Sequence, residues 1–432
     1  MRHLLHPLFL ALLAKAQKVG DLQEEVHPKL SWKRCTSSAA CETVQGEITV
    51  DAEYRWLHLV DDYHSCFENQ QWQADQCNST QSCTERCALD GAYYPGYGIA
   101  ATGDALSQSY YTPIDFGRSF NSRVFLMEGG GDRYQTFTLL GNELAFDVDL
   151  STMACGLNGA LRFLAMDADG GMERFPGNEA GARFVGGQAN FEGWTPSPWD
   201  PVRGEGNLGA CCPEFDVWNS NSQAFQTTSK LCRARVNSYT VCANGEFCML
   251  ERLPMCDKDG CDYNPYRLGV TDFYGPGKTV DTTKKFTVVT RFAADKITKF
   301  FVQDGVKIET PAPATAGIPD GDDLSKEYCR AKASVFQERD FFEEFGGFSR
   351  QSDMLSRPMV MALSIQDDYY AWNTWLDSTY PANSGDFPGR TRGPCPWEQN
   401  DPNSPDRQLD WYKAKVAWSN IRFGPIGSTV AV

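Results

Sequence analysis

Basic residues are in short supply. Against 56 Asp and Glu the chain sets only 40 Lys and Arg, a formal net charge of −16 over 432 residues, and no run of cations interrupts that balance. Nucleic acids and anionic membranes both require clustered Lys and Arg, so neither is an expected partner, whereas a neutral polymer is acceptable. Long hydrophobic runs are also missing. The apolar stretch Leu4 to Leu13 is too short to span a bilayer, and nothing else approaches that length. Of five histidines only His27, His58 and His64 lie beyond residue 16, and no C-x-x-C pair has a matching second half. Metal is therefore not expected, and no cofactor motif is present. Repeats, low-complexity tracts and Ser/Pro/Thr linkers are absent, which points to one domain over residues 17–432.

Cysteine, by contrast, is abundant. Sixteen spread along the chain read as a disulfide framework, which belongs to an oxidising compartment. The N-terminus agrees: Arg2 and His3 precede the apolar run, and Ala14-Lys15-Ala16 has the A-x-A form of a cleavage site. Residues 1–16 are read as a signal peptide rather than a short core helix, and the mature chain as secreted and extracellular, beginning at Gln17. Asn78-Ser79-Thr80 is a glycosylation sequon suited to a surface loop.

Short alternating runs rich in β-branched and aromatic residues recur between Gly, Asn, Asp and Pro. Among them are "GEITVDAEYRWLHLV", "FTLLGNELAFDVDL", "KKFTVVTRF", "MVMALSIQDDYY" and "KAKVAWSNIRFGPIG". They predict an all-β sandwich of large antiparallel sheets. Helical spacing is confined to residues 325 to 345, and "DADGG" at 167 to 171 reads as a tight turn, lacking the spaced acids of a calcium loop. In "CCPEFDVWNSNS", Glu214 and Asp216 stand two apart in a strand-like run, so both side chains share one face. Paired acids on a sheet suggest sugar chemistry, although ordinary surface acids make the same pattern.

The stretches "FDVDLSTMACGLNGALRFLAMDADGG", "GQANFEGWTPS", "CCPEFDVWN", "DGCDYNPYRLGVTDFYGPGKTVDTTKKFTVVTRF", "WLDSTYP" and "SNIRFGPIGS" resemble the fungal-type cellulases of glycoside hydrolase family 7, from about Gln17 to Ser428. The resemblance implies a disulfide-rich, concanavalin-like β-jelly-roll whose concave sheet holds β-1,4-glucan; with the chain stopping shortly after Gly427, no separate cellulose-binding module is expected. It implies a monomer acting on cellulose or soluble β-1,4-glucan oligosaccharides by retention, which needs a nucleophile and an acid/base roughly 5–5.5 Å apart. The family places them in Glu-x-Asp-x-x-Glu. Glu214 matches the nucleophile and Asp216 its supporting acid, but Asn219 stands at the acid/base position. An amide has no proton to give near neutral pH. Impaired hydrolysis is therefore expected, with a non-catalytic glucan-binding protein as the alternative.

Other departures accompany Asn219. Lys230 replaces a His, Arg162 a Tyr beside the nucleophile, Gln366 a sugar-stacking Trp, and the first-strand Trp pair becomes Tyr54 and Trp56. Matching cleft positions are Trp56, Trp375, Arg392, Asn158 and Arg123, the tryptophans being equally suited to core packing. The implied bridges are Cys35–Cys41, Cys66–Cys87, Cys77–Cys83, Cys155–Cys395, Cys232–Cys256, Cys242–Cys248 and Cys261–Cys329. About fifteen family residues are missing between Phe184 and Gly187, which leaves Cys211 and Cys212 without the partners the resemblance implies. Evolutionary loss and a gene-model error both account for that gap.

Overall fold

The computed structural model describes residues 18–431 apart from 69–70, 74, 78–79, 116, 174–178, 185–208, 234–239, 243–248, 251–252, 322, 383–386 and 404–408. The signal segment, the Asn78 sequon, the gap after Phe184 and the Cys242–Cys248 pairing lie outside the described residues.

The expected all-β sandwich is what the chain forms. Among the described residues, one sheet has the antiparallel strand order Cys261–Tyr263, Phe225–Lys230, Glu214–Ser220, Asn158–Leu164, Met359–Gln366, Ser122–Glu128, Gly46–Val50. The other runs Val306–Glu309, Lys296–Gln303, Phe286–Phe292, Asn142–Asp149, Lys415–Pro425, Ala105–Ser109, Ile99–Thr102. The alternating runs read from the sequence supply most of these strands. Alternate residues of each sheet point inward, as the period of two requires. Phe163, Phe215, Trp218 and Leu363 thereby meet Phe146, Val288, Phe301 and Trp418 in one buried cluster. Trp418 donates its indole N–H to Gln108 at 3.0 Å, so even this polar edge is satisfied.

Six implied bridges are present: Cys35–Cys41, Cys66–Cys87, Cys77–Cys83, Cys155–Cys395, Cys232–Cys256 and Cys261–Cys329. Cys212 is half-buried. The helical region at 325 to 345 is two helices, Lys326–Val335 and Phe341–Glu344, parted where Gln337 turns to φ 54°. A further helix, Gly347–Leu355, was not foreseen from the sequence. Phe348, Gln351 and Leu355 form its buried face. "DADGG" is a turn: Asp169 accepts from the backbone N–H groups of Gly171 and Glu173.

One irregularity decides what the concave sheet can present. Strand Glu214–Ser220 pairs Asp216 with Arg162 but Trp218 with Leu161, so Val217 is an extra residue, a β-bulge. Without it Trp218 would follow Glu214 and Asp216 onto the concave face. With it, Val217 and Trp218 both enter the core and Asn219 returns to the face of Asp216. A bulge leaves backbone polar groups outside the ladder, and here the Val217 carbonyl accepts from Thr227 Oγ1 at 2.9 Å and from Lys299 Nζ at 3.1 Å. Lys299 reaches across from the opposite sheet, over the ring of Trp218.

Burial pushes the Lys299 ammonium down from 10.5 to about 7. The folded chain thus holds fewer protons than the unfolded chain between those values, and stability rises with pH through that window, by at most about 1.4 kcal/mol per unit. Lys299→Met should flatten this rise in urea denaturation compared at pH 7 and 9. Parallel pH dependence in the two proteins would refute the assignment.

Candidate active site

The concave face gathers the side chains that alternate away from the core. Glu214 and Asp216 extend from one strand, Asn158 and Arg162 from the next, and Gln226 and Lys230 from the strand on the other side. Register places Lys230 directly opposite Glu214 and Arg162 opposite Asp216. Cross-strand neighbours of opposite charge attract, and these side chains close into one network. Lys230 Nζ lies 2.8 Å from Glu214 Oε1 and 2.8 Å from Asp216 Oδ2. Arg162 Nε stands 3.5 Å from the other Asp216 oxygen.

Asn219 sits fully buried at the end of this network. Its Oδ1 accepts from Asn158 Nδ2 at 2.9 Å and from an Arg162 guanidinium N–H at 3.2 Å. Its Nδ2 donates to Asp216 Oδ2 at 2.8 Å. Asn158 in turn accepts from the Ser220 backbone N–H at 3.0 Å, which fixes its orientation.

The charges set one another. Burial works against the Glu214 carboxylate, but the Lys230 ammonium, a hydrogen bond from Asp216 and the charge of Arg162 outweigh it and hold Glu214 well below the usual range. Burial and repulsion by Glu214 push Asp216 up to about 6, against the pull of Lys230 and Arg162. Burial also opposes the charge on Lys230, yet Asp216 and Glu214 hold it above the ordinary lysine value. Two cations and two carboxylates therefore balance on this face.

From this network a cavity of about 560 Å³ runs toward the sheet edge, lined by Asp216, Gln226, Lys230, Trp375 and Arg392 among others. Trp375 is half-buried, on the short helix Thr374–Asp377. Arg392 is held over the ring of Tyr380, 3.6 Å from Glu338 and 4.0 Å from Asp262. Burial, with the charge of Arg267 nearby, lowers its guanidinium to about 10, still charged at neutral pH. The sequence reading missed the ring of ions around it: Asp262 pairs with Arg267 at 2.6 Å and with Lys332 at 2.5 Å, and Arg267 also meets Glu338. Asp262 and Arg267 lie within a stretch that carried the family resemblance, and that was the available signal.

Trp56 and Arg123 are not brought to this cluster. Arg123 is on the same face but three strands from Glu214, roughly 14 Å at ordinary strand spacing. It pairs with Asp51 at 2.7 Å and Glu53 at 3.4 Å. Trp56 lies past the edge strand Gly46–Val50, half-buried, its indole N–H donated to Ser65 and its ring stacked beside His58 and Tyr63. Gln366, on the Met359–Gln366 strand, pairs with Asn158 and offers no flat apolar face.

A sandwich of this topology with paired acids on a concave strand can now be set beside known proteins. The family model for glycosyl hydrolase family 7 matches residues 19–430. The chain belongs to glycosyl hydrolase family 7. Similar solved structures include a cellobiohydrolase of Melanocarpus albomyces complexed with cellotetraose, 46% identical, covering 96% of this chain and 99% of that one at a TM-score of 0.88. A family 7 cellobiohydrolase of Daphnia pulex is 35% identical, covering 96% and 100%, at 0.89. An endocellulase of Humicola insolens is 30% identical, covering 95% and 100%, at 0.78.

The network predicts how this family 7 site responds to losing its central cation. Lys230→Ala leaves Glu214 and Asp216 facing each other without a counter-charge, and should cost about 3 kcal/mol in urea denaturation at pH 7. The loss should shrink as pH falls from 7 toward about 6 and then level off, because without the pull of Lys230 Asp216 takes up its proton at a higher pH than in the parent. A loss that is unchanged at pH 4.5 would show that charge is not its cause.

Proposed function

We propose that this chain recognises β-1,4-glucan in its concave cleft while retaining hydrolysis is impaired at the acid/base step. The observation that carries the reading is Asn219, whose oxygen is occupied by two donors and whose nitrogen is given to Asp216. Retaining hydrolysis asks one carboxylate to attack the anomeric carbon while a second acid protonates the departing oxygen. Glu214 is assigned the first role and Asp216 the support of it. The second role has no occupant, which costs roughly 10²–10⁴-fold in rate, most of all for an unactivated glucoside. Lys230 compounds the loss, because a carboxylate that accepts a hydrogen bond from an ammonium gives up part of its nucleophilicity.

Binding is supported from other directions. Trp375 offers a ring face, Arg392 a charged donor, and Trp56 and Arg123 extend polar and aromatic contacts toward the far edge of the sheet. The relative from Melanocarpus albomyces holds cellotetraose. The same reading takes residues 17–432 as one secreted, monomeric unit without nucleic-acid or membrane partners.

Turnover of an aryl cellobioside with a very good leaving group, with and without azide, separates impairment from complete loss. Such a leaving group departs without a proton, and azide attacks a glycosyl-enzyme without a general base. Slow, azide-stimulated turnover that disappears in Glu214→Gln is the expected result, alongside cellotetraose binding by calorimetry. If turnover never exceeds the Glu214→Gln control while cellotetraose still binds, the chain is a binding protein alone. If neither is seen, the reading fails.

Restoring the acid should reveal the second defect. Asn219→Glu alone places a third carboxylate beside Asp216 while Lys230 still engages Glu214, so its gain on cellotetraose should be small. Combined with Lys230→His, the gain should approach about 10²-fold. Equal rates for the single and double variants would show that Lys230 does not restrain Glu214.

A further inference from the structure

Beyond the cleft, one aromatic surface has no part in the catalytic network. Trp397 is 46% exposed and lies against the half-buried Trp372, ring centroids 5.8 Å apart and planes within 10° of parallel. Tyr369 and Tyr370, three and two residues before Trp372, are 68% and 79% exposed. Exposed aromatic groups gathered in this way mark interaction surfaces more often than chance packing.

The stack is held on a rigid frame. Trp372 takes φ 55° and Asn373 φ 51°, a left-handed pair that a bulky aromatic side chain disfavours. The surroundings impose it: Asn373 donates to the Gly156 carbonyl at 2.9 Å, and the Trp372 backbone N–H to the Asp368 carbonyl at 2.8 Å. Trp397 is fastened from its own side, two residues after the Cys155–Cys395 bridge and within a short 3₁₀ turn whose Asn400 donates to Asp377 at 2.6 Å.

We propose that the Trp372–Trp397 stack, with the exposed Tyr369 and Tyr370 just before it in the chain, is a second β-1,4-glucan surface on the rim of the cleft, suited to a chain lying in a cellulose surface. The inference rests on the cleft being glucan-binding, and continuity with that cleft carries it. Asp368, Ala371 and Trp375 line the cavity, while Tyr369, Tyr370 and Trp372, interleaved with them in the same turn, carry the aromatic surface. A β-glucose ring with equatorial hydroxyls has two flat C–H faces, which pack against the electron-rich faces of aromatic rings. The acids next to these aromatics in the chain, Asp367, Asp368, Glu398 and Asp401, disfavour an anionic membrane as the occupant. The sugar-stacking position lost at Gln366 has a neighbouring substitute, displaced from the cleft floor to its rim.

Two binding measurements test this: depletion from solution by microcrystalline cellulose, and calorimetry with cellotetraose, a short soluble chain. Trp397→Ala should weaken cellulose binding about tenfold, the loss usual for a truncated aromatic anchor, and leave cellotetraose affinity within about twofold. Trp397→Tyr, which keeps a flat ring, should recover most of the loss, and thermal melts of both variants should match the parent. Unchanged cellulose binding in Trp397→Ala overturns the proposal, as does an equal loss on both ligands. A parent protein that binds cellotetraose but not cellulose overturns the rim surface and leaves the cleft reading intact. Cellulose binding that depends on Trp397, without any cellotetraose binding, upholds the rim surface and overturns the cleft reading.

Discussion

The residue on which the site depends is Val217, and it touches nothing in the cleft. By occupying a place in the strand without a partner across the ladder, it shifts the phase of everything after it. Glu214 and Asp216 face the cleft before the bulge, Asn219 faces it after, and Trp218 between them is turned into the core. A strict period of two would have exposed the tryptophan and buried the asparagine on the wrong side. The distortion is stabilised from behind by Thr227 and by Lys299, a lysine from the opposite sheet that serves the geometry of the cleft from within the core. Strand phase, core packing and cleft chemistry are in this sense one constraint.

Given that geometry, the chemistry turns on charge balance. The concave strands hold an acidic pair, and the register brings one cation opposite each acid. Lys230 and Arg162 quench what burial would otherwise make a strongly interacting carboxylate pair. The amide at 219 fits this arrangement better than an acid would, since it accepts from Arg162 and Asn158 and donates to Asp216 without adding charge. Lys230, Arg162 and Asn219 read as a set in which both polar atoms of the amide find partners. On the proposed reading, stability and catalysis part company at this site, because the side chains that complete the network are not the ones an acid/base step would use.

Much of this was legible in the sequence, for identifiable reasons. The strands announced themselves through alternation, as in Phe286–Phe292, or through short apolar runs rich in β-formers, as in Met359–Gln366. The acids at 214 and 216 shared a face by the same rule. What alternation could not supply was the bulge, because an inserted residue has no signature of its own; only the resemblance put position 219 beside 216. The ion cluster around Arg392 was hidden for a different reason. Asp262 and Lys332 are 70 residues apart and meet only when a helix docks against the sheet edge. The helix Gly347–Leu355 escaped because it opens with glycine and carries a polar Gln351 on its buried face. Trp56 and Arg123 lie far from the acids, one past the edge strand and the other three strands away, a separation that spacing along the chain does not encode.

The Cys155–Cys395 bridge has a meaning beyond local packing. It joins the approach to the Asn158 strand to the loop that presents Trp397, across a sequence separation of 240 residues. Most of the concave sheet, with Glu214, Lys230 and Trp375, lies inside the covalent ring it closes. A protease that cuts a single surface loop anywhere within that ring produces two ends and still one molecule. For this chain, being nicked and being destroyed are then separate events.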